Sequence, residues 1–257
     1  MPKKRFAFLL EYEGTNYCGF QLQPNQPTIQ YEVECAIKAL FQEDIRIIGS
    51  SRTDSGVHAK GQVFHADLPD NIPCSNLGKA LNMHLPHDIR IKGVALVDDK
   101  FNARYQAVSR CYRYTIYKGI TALYRHYSWL IYQPLNVSAM KECLPKILGF
   151  HNFTSFCLSQ TETEDKQCTV QRATWEEINE ILIFKIQANH FLHAMVRSLV
   201  GTMVDVGRGR YSVQDFDMIL NKQNHGSGAV TAPAKGLILE EVIYNPQIPW
   251  QWSGVCL

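Results

Sequence analysis

The sequence predicts an α+β fold of two pseudo-equivalent halves, built on a mixed, mostly antiparallel sheet with helices on one side. Three observations lead there. A chain of 257 residues that is 46% hydrophobic and 19% charged can bury a substantial core. Period-two runs fall in neighbouring pairs separated by single helical stretches, which suits an α+β sheet better than a strictly parallel βαβ array. The same mixture recurs on both sides of a polar stretch at 98–107, so the chain divides into 1–103 and 104–257.

Taken in order, Phe6, Phe8, Leu10 and Tyr12 alternate with Ala7, Leu9 and Glu11, the signature of a strand over 4–12, and Gly14 supplies a turn behind it. Thr28 is placed to cap a helix whose Ile29, Val33, Ala36, Ile37 and Leu40 share one face. A short strand at 45–48, a polar loop at 49–60 and a strand at 62–66 follow. Ser75 is expected to cap a short helix carrying Leu77, Ala80 and Leu81, and 89–97 returns as a strand. The second half reads as strand 108–118, helix 138–148, strands 170–178 and 181–188, helices 190–206 and 212–221, and strand 236–244. Pro145 conflicts with the helix that contains it and should kink it or end it early.

Composition narrows the class. Twenty-six basic against 24 acidic residues leave a net charge of +2, so any nucleic-acid site must come from uneven placement of charge. Five apolar residues, Phe6 to Leu10, are too few for a secretory signal, and no stretch approaches a membrane span. The eight cysteines are widely spaced, with no C-x-x-C pair of the kind a structural zinc site uses, and read as reduced thiols of a cytoplasmic protein.

The polar loop carries Asp54 in the string Ser51-Arg52-Thr53-Asp54-Ser55-Gly56-Val57-His58-Ala59. A carboxylate there is accessible while the flanking strands fix the loop ends. The stretch Phe191 to Val206 is apolar almost all round and should form a buried helix ending at Gly207, with Arg197 in its middle. A buried guanidinium needs a carboxylate partner or a route to the surface, and Asp205 is one such acid. His190, His193 and Arg197 would share a helical face, but two histidines beside a cation make a poor metal site, and none is expected. Basic and aromatic residues interleave in Phe101-Asn102-Ala103-Arg104-Tyr105, in Arg110 to Lys118, in Tyr124-Arg125-His126-Tyr127 and at Arg208-Gly209-Arg210. That texture suits an RNA surface, where cations meet phosphates and rings meet splayed bases.

Arg52, Thr53, Asp54, Gly56, Val57, His58, Ala59, Gly61, Gln62 and Val63 together resemble the signature R-T-D-x-G-V-H-A-x-G-Q-V of the TruA family of tRNA pseudouridine synthases. Glu11-Tyr12-Glu13-Gly14-Thr15-Asn16-Tyr17-Cys18-Gly19-Phe20-Gln21 is similar to that family's opening motif. Arg110-Cys111-Tyr112-Arg113-Tyr114, Asn152-Phe153-Thr154-Ser155-Phe156 and Met195-Val196-Arg197-Ser198-Leu199-Val200-Gly201 resemble three later ones, so the likeness spans nearly the whole chain. Ser51 stands where the family usually has Gly, Ser55 where Ala is common and Phe20 where Trp is common. None of these removes a group the reaction needs.

The resemblance implies isomerisation of uridine to pseudouridine in the tRNA anticodon arm, at positions 38 to 40, by a homodimer whose subunits jointly hold one tRNA. It implies an active cleft between the halves, with Asp54 from the first as nucleophile. Tyr112 would be the stacking platform for the extruded base, and Arg197 the cation that keeps Asp54 ionised and oriented. Arg52, Tyr112 and Arg197 are thus expected to contact substrate, and Phe101, Asn102, Ala103, Arg104, Tyr105, Arg110 and Arg172 to contact RNA. The reaction gains and loses no electrons, so no cofactor is expected. A carboxylate could attack C1′ or draw a proton from the sugar, and the residues alone do not choose. His58 and His65 are expected to be structural or to touch RNA. Two rivals are an RNA-binding protein that has lost catalysis and a glycosidase-like hydrolase. The triad of Asp54, Tyr112 and Arg197 argues against the first, and the lack of a second acid in the loop against the second.

Overall fold

The computed structural model describes residues 2–158, 165–224 and 230–252. By its contacts the chain separates into one compact unit of Met1–Val108 with Leu239–Leu257, and another of Ser109–Ile238.

In the first unit β1 (Lys3–Tyr12) is followed by α1 (Ile29–Phe41), β2 (Ile48–Gly49), β3 (His58–Pro69), α2 (Cys74–Asn82) and β4 (Ile89–Leu96). β1 lies between β3 and β4, antiparallel to both. Phe6, Phe8, Leu10 and Tyr12 are buried as expected, Leu9 and Glu11 are half-buried, and Ala7, expected on the other face, is buried as well. Thr28 caps α1 by accepting the Tyr31 N–H at 3.3 Å, and Ile29, Val33, Ala36 and Ile37 form its buried stripe.

Three details differ from the sequence expectation. β3 spans His58–Pro69, longer at both ends than the strand expected at 62–66 and overlapping the loop expected to reach residue 60. α2 starts at Cys74 with no side-chain cap, the Asn76 and Leu77 N–H groups bonding to the Pro73 carbonyl, so Ser75 lies inside the helix. The strand expected at 45–48 shrinks to Ile48–Gly49. The Ile47 N–H donates to the Glu34 carboxylate, and its carbonyl accepts from Gln30, so α1 takes the backbone bonds that a ladder would have used.

The second unit is built on β5 (Ala107–Lys118), β6 (Trp129–Ile131), α3 (Val137–Glu142), α4 (Leu144–Ile147), β7 (Gly149–Asn152), β8 (Gln167–Ile178), β9 (Ile181–Ala188), α5 (Met195–Gly207) and α6 (Val213–Lys222). The order β5-β9-β8-β7 is antiparallel throughout, and β6 runs parallel to β5, which makes the sheet mixed. Arg110, Tyr112, Tyr114 and Ile116 stand opposite Ala188, Ile186, Phe184 and Leu182, and all eight are buried on one face. The helix expected at 138–148 is two helices broken at Cys143, with Pro145 in the first turn of α4, where its missing N–H costs nothing.

The helix expected from residue 190 begins only at Met195. The Asn189 side chain captures the N–H groups of Thr169 and His190, and Ala194 adopts the left-handed conformation at φ 60°. His190, His193 and Arg197 therefore do not form one helical face. The chain closes with β10 (Leu237–Tyr244), which lies beside β3, and β11 (Gln251–Trp252), which pairs with β4. The seven cysteines among the described residues form no disulfide.

Candidate active site

Asp54 stands, half-buried, on a loop in which its neighbours are tied down. At the entrance, the Ser50 N–H bonds the Val63 carbonyl at 2.7 Å. Fully buried Gln62 accepts from the Ser50 hydroxyl at 2.7 Å and donates to the Ser51 carbonyl at 2.8 Å. At the exit, the Val57 N–H closes a turn onto the Asp54 carbonyl at 3.1 Å, with Gly56 at φ 76°. The Gly56 N–H and the Ser55 hydroxyl both donate to the Tyr17 carbonyl, each at 3.2 Å.

The segment 12–20 is the loop's second wall. A Cβ at Gly14 would collide with the Val57 carbonyl, and one at Gly19, which sits at φ 90°, would come within 2.6 Å of the Thr53 carbonyl. Only glycine lets these backbones meet. The Gly14 N–H donates to His58 Nδ1 at 3.1 Å, the Phe20 N–H to the Thr53 carbonyl at 3.1 Å, and the Tyr12 and Thr53 hydroxyls share a buried hydrogen bond of 2.7 Å. His58 is thus a wall of the loop. Arg52 is exposed.

In the same unit, Phe101-Asn102-Ala103-Arg104-Tyr105 is a clamped turn. Asn102 Oδ1 accepts the N–H groups of Arg104 and Tyr105 at 3.0 and 3.2 Å. The Ala103 N–H donates to His65 Nδ1 at 3.1 Å, the Tyr244 hydroxyl to the Ala103 carbonyl at 2.6 Å, and Arg5 to the Phe101 carbonyl at 3.0 Å. Phe101 and Ala103 are buried, whereas Arg104 and Tyr105 are exposed, with the guanidinium 5.7 Å from the Tyr105 ring centre. Burial, reinforced by the Arg5 charge, pushes the His65 pKa down to about 4, so the ring is neutral and free to accept.

In the second unit, Tyr112 is 7% exposed and packs edge-on against Phe191, with ring centres 5.0 Å apart. Arg110 is buried and donates to the Asn189 carbonyl at 2.8 Å. Arg197, in the first turn of α5, donates through Nε to the Ala232 carbonyl at 2.8 Å, and the Ala232 N–H returns to the Arg197 carbonyl. Asp205 is engaged by Arg208 at 3.5 Å and Arg210 at 3.1 Å. Arg172 is exposed on β8 opposite Gln187.

The structure thus gathers Arg52 and Asp54 in one loop, residues 101–105 in one turn, and Arg110 and Tyr112 on one strand. His65, expected to be structural or to touch RNA, holds the Ala103 N–H, whereas nothing in the sequence marks Tyr12 and Gln62 as supports. Tyr12 and Gln62 lie within the two strings quoted above, but spacing does not reveal what a side chain holds. Among the described residues, no three or more His, Cys, Asp and Glu are grouped to hold a metal ion, and no helix is long and apolar enough to cross a membrane.

Residues 9–106 and 145–245 match the family described as tRNA pseudouridine synthase. The chain is 41% identical to the tRNA pseudouridine synthase A of Exiguobacterium sibiricum, over 94% of this chain and 97% of that one. It is 42% identical to that of Brevibacillus brevis, over 94% and 100%. With the Bacillus subtilis protein of the same name it shares 39% identity, over 94% and 99%.

Proposed function

The chain belongs to the tRNA pseudouridine synthase family, and we propose that Asp54 is the residue with which it isomerises uridine to pseudouridine in the tRNA anticodon arm. The enzyme is an isomerase acting on tRNA. The supporting observation is a half-buried carboxylate on a loop whose flanking backbone is bonded on both sides to β3 and to the segment 12–20. Such a loop holds its carboxylate in one direction before substrate arrives, which lowers the cost of reaching the reactive geometry.

The reaction breaks the C1′–N1 bond, turns the freed uracil and joins C5 to C1′; the hydrogen lost from C5 is balanced by one gained at N1. Asp54 acts as nucleophile at C1′. A base inside an RNA stem must first leave the stack, at a cost on the order of a few kcal/mol, and an aromatic platform offsets it. Tyr112, held edge-on by Phe191, is that platform in this reading. Arg197 and Arg52 contact substrate, and Arg104 and Tyr105 meet the RNA beyond the target base. Arg172 is a further exposed cation for RNA, and the buried Arg110 orders the backbone at Asn189.

A homodimer in the cytoplasm that holds one tRNA completes the reading. The segment 120–132 supports self-association, because it exposes Ile120, Leu123, Tyr124, Tyr127 and Tyr132.

The test uses unmodified tRNA transcripts without metal or cofactor, with pseudouridine mapped by carbodiimide labelling and primer extension. Modification in the anticodon arm that Asp54→Asn abolishes is expected. Full activity of Asp54→Asn would remove Asp54 from the mechanism. Tyr112→Ala should slow turnover greatly while tRNA still binds; lost binding with unchanged turnover of bound tRNA would reduce Tyr112 to an RNA contact.

A further inference from the structure

We infer that Tyr12 and Thr53 are positioning residues for catalysis, joined by a buried hydroxyl–hydroxyl hydrogen bond that sets the direction of the Asp54 carboxylate. The inference rests on Asp54 being the reacting group. Thr53 immediately precedes Asp54 and is held at two atoms: its side-chain oxygen lies 2.7 Å from the Tyr12 hydroxyl, and its carbonyl accepts the Phe20 N–H at 3.1 Å. Both residues are buried, Tyr12 at 3% and Thr53 at 7% exposure, so water has little access to replace the bond.

Tyr12 is itself aimed by the sheet. Leu10 pairs with Gln62 but Tyr12 pairs with Ala59, so the ladder slips by one residue on β3 just where β1 ends. The extra residue bends β3 just after the loop, as such irregularities do beside active sites, while Tyr12 stays on the buried face of Phe6, Phe8 and Leu10. The Tyr12 ring then packs against Phe20, with ring centres 6.4 Å apart, and its hydroxyl reaches under the loop. Two atoms bonded on one residue fix its orientation, and through the shared peptide they fix where the Asp54 Cα–Cβ bond points. The fold alone does not need this pair of hydroxyls, because Phe and Val have nearly the same shapes; what those replacements lose is the constraint on the loop.

The test compares Tyr12→Phe, Thr53→Val, Thr53→Ser and the double variant Tyr12→Phe/Thr53→Val, measuring kcat and KM on a tRNA transcript and the urea midpoint, with wild type and Asp54→Asn alongside. Tyr12→Phe and Thr53→Val should each lower kcat about tenfold or more with KM within about twofold, since displacements near 1 Å cost on that scale. Thr53→Ser keeps the oxygen and should keep kcat, and the double variant should be no slower than the worse single one. Tyr12→Phe and Thr53→Ser each delete a single heavy atom, so they decide the matter even if Thr53→Val unfolds. Unchanged kcat in Tyr12→Phe, or loss of kcat in Thr53→Ser equal to that in Tyr12→Phe, overturns the inference. If Asp54→Asn remains active, the reading of the loop fails first; if Asp54→Asn is dead and Tyr12→Phe is fully active, the positioning role alone fails.

Discussion

His65 accepts the backbone N–H of Ala103 through Nδ1 at 3.1 Å, and this bond exists only while the ring is neutral. Burial and the nearby Arg5 hold the His65 pKa near 4, below the usual value of 6.5. The unfolded chain therefore takes up a proton as pH falls below about 6.5, whereas the folded chain resists it until about 4. Stability contributed by the neutral ring is complete above 6.5 and falls progressively between 6.5 and 4. Urea melts at pH 7.5 and pH 5 should show a loss in wild type that His65→Gln, which cannot titrate, reduces. An equal loss in both proteins would show that His65 is not a source of the pH dependence.

Arg104 is exposed on the turn that His65 and Tyr244 clamp, so its contribution to tRNA binding should be electrostatic. Arg104→Ala should weaken binding and lower the slope of log affinity against log salt by about one. A weaker complex with an unchanged slope would mean that Arg104 does not contact a phosphate.

Arg197 donates through Nε to the Ala232 carbonyl, which leaves the outer guanidinium nitrogens for other partners. Lysine has one nitrogen and cannot serve both ends of that geometry. Arg197→Lys should keep the fold, by circular dichroism, yet lower kcat about tenfold or more. Wild-type kcat in Arg197→Lys would show that charge alone suffices there.

Gly201 of α5 faces the chain at Val230 so closely that a Cβ would overlap the Val230 carbonyl oxygen, and Ala232 beyond it binds Arg197 on both sides. Gly201→Ala should destabilise the protein by about 1–3 kcal/mol, as overpacking of a dense interior does. The measure is a lower urea midpoint at constant m-value. It should also lower activity under conditions where the variant stays folded, because the displaced segment carries the Arg197 partner.

The α+β class, the strand at 4–12, the helix that Thr28 caps and, through the string 52–63, the family and the loop that bears Asp54 are legible in the sequence. These are local: alternation, helical spacing and a cap are written in residues a few positions apart. Tertiary structure decided what local patterns cannot carry. Ile47 leaves the ladder because α1 side chains take both its backbone bonds, and 190–194 is not helical because Asn189 and Ala194 hold it otherwise. The walls of the Asp54 loop are equally invisible in the sequence. Gly14, Gly19 and Tyr12 lie 34 to 44 positions before the residues they meet; the close approach of two backbones explains the two glycines, and a buried hydroxyl bond to Thr53 the tyrosine. The sequence thus points to Asp54 through a local string, while the residues packed around its loop come together only in the tertiary structure.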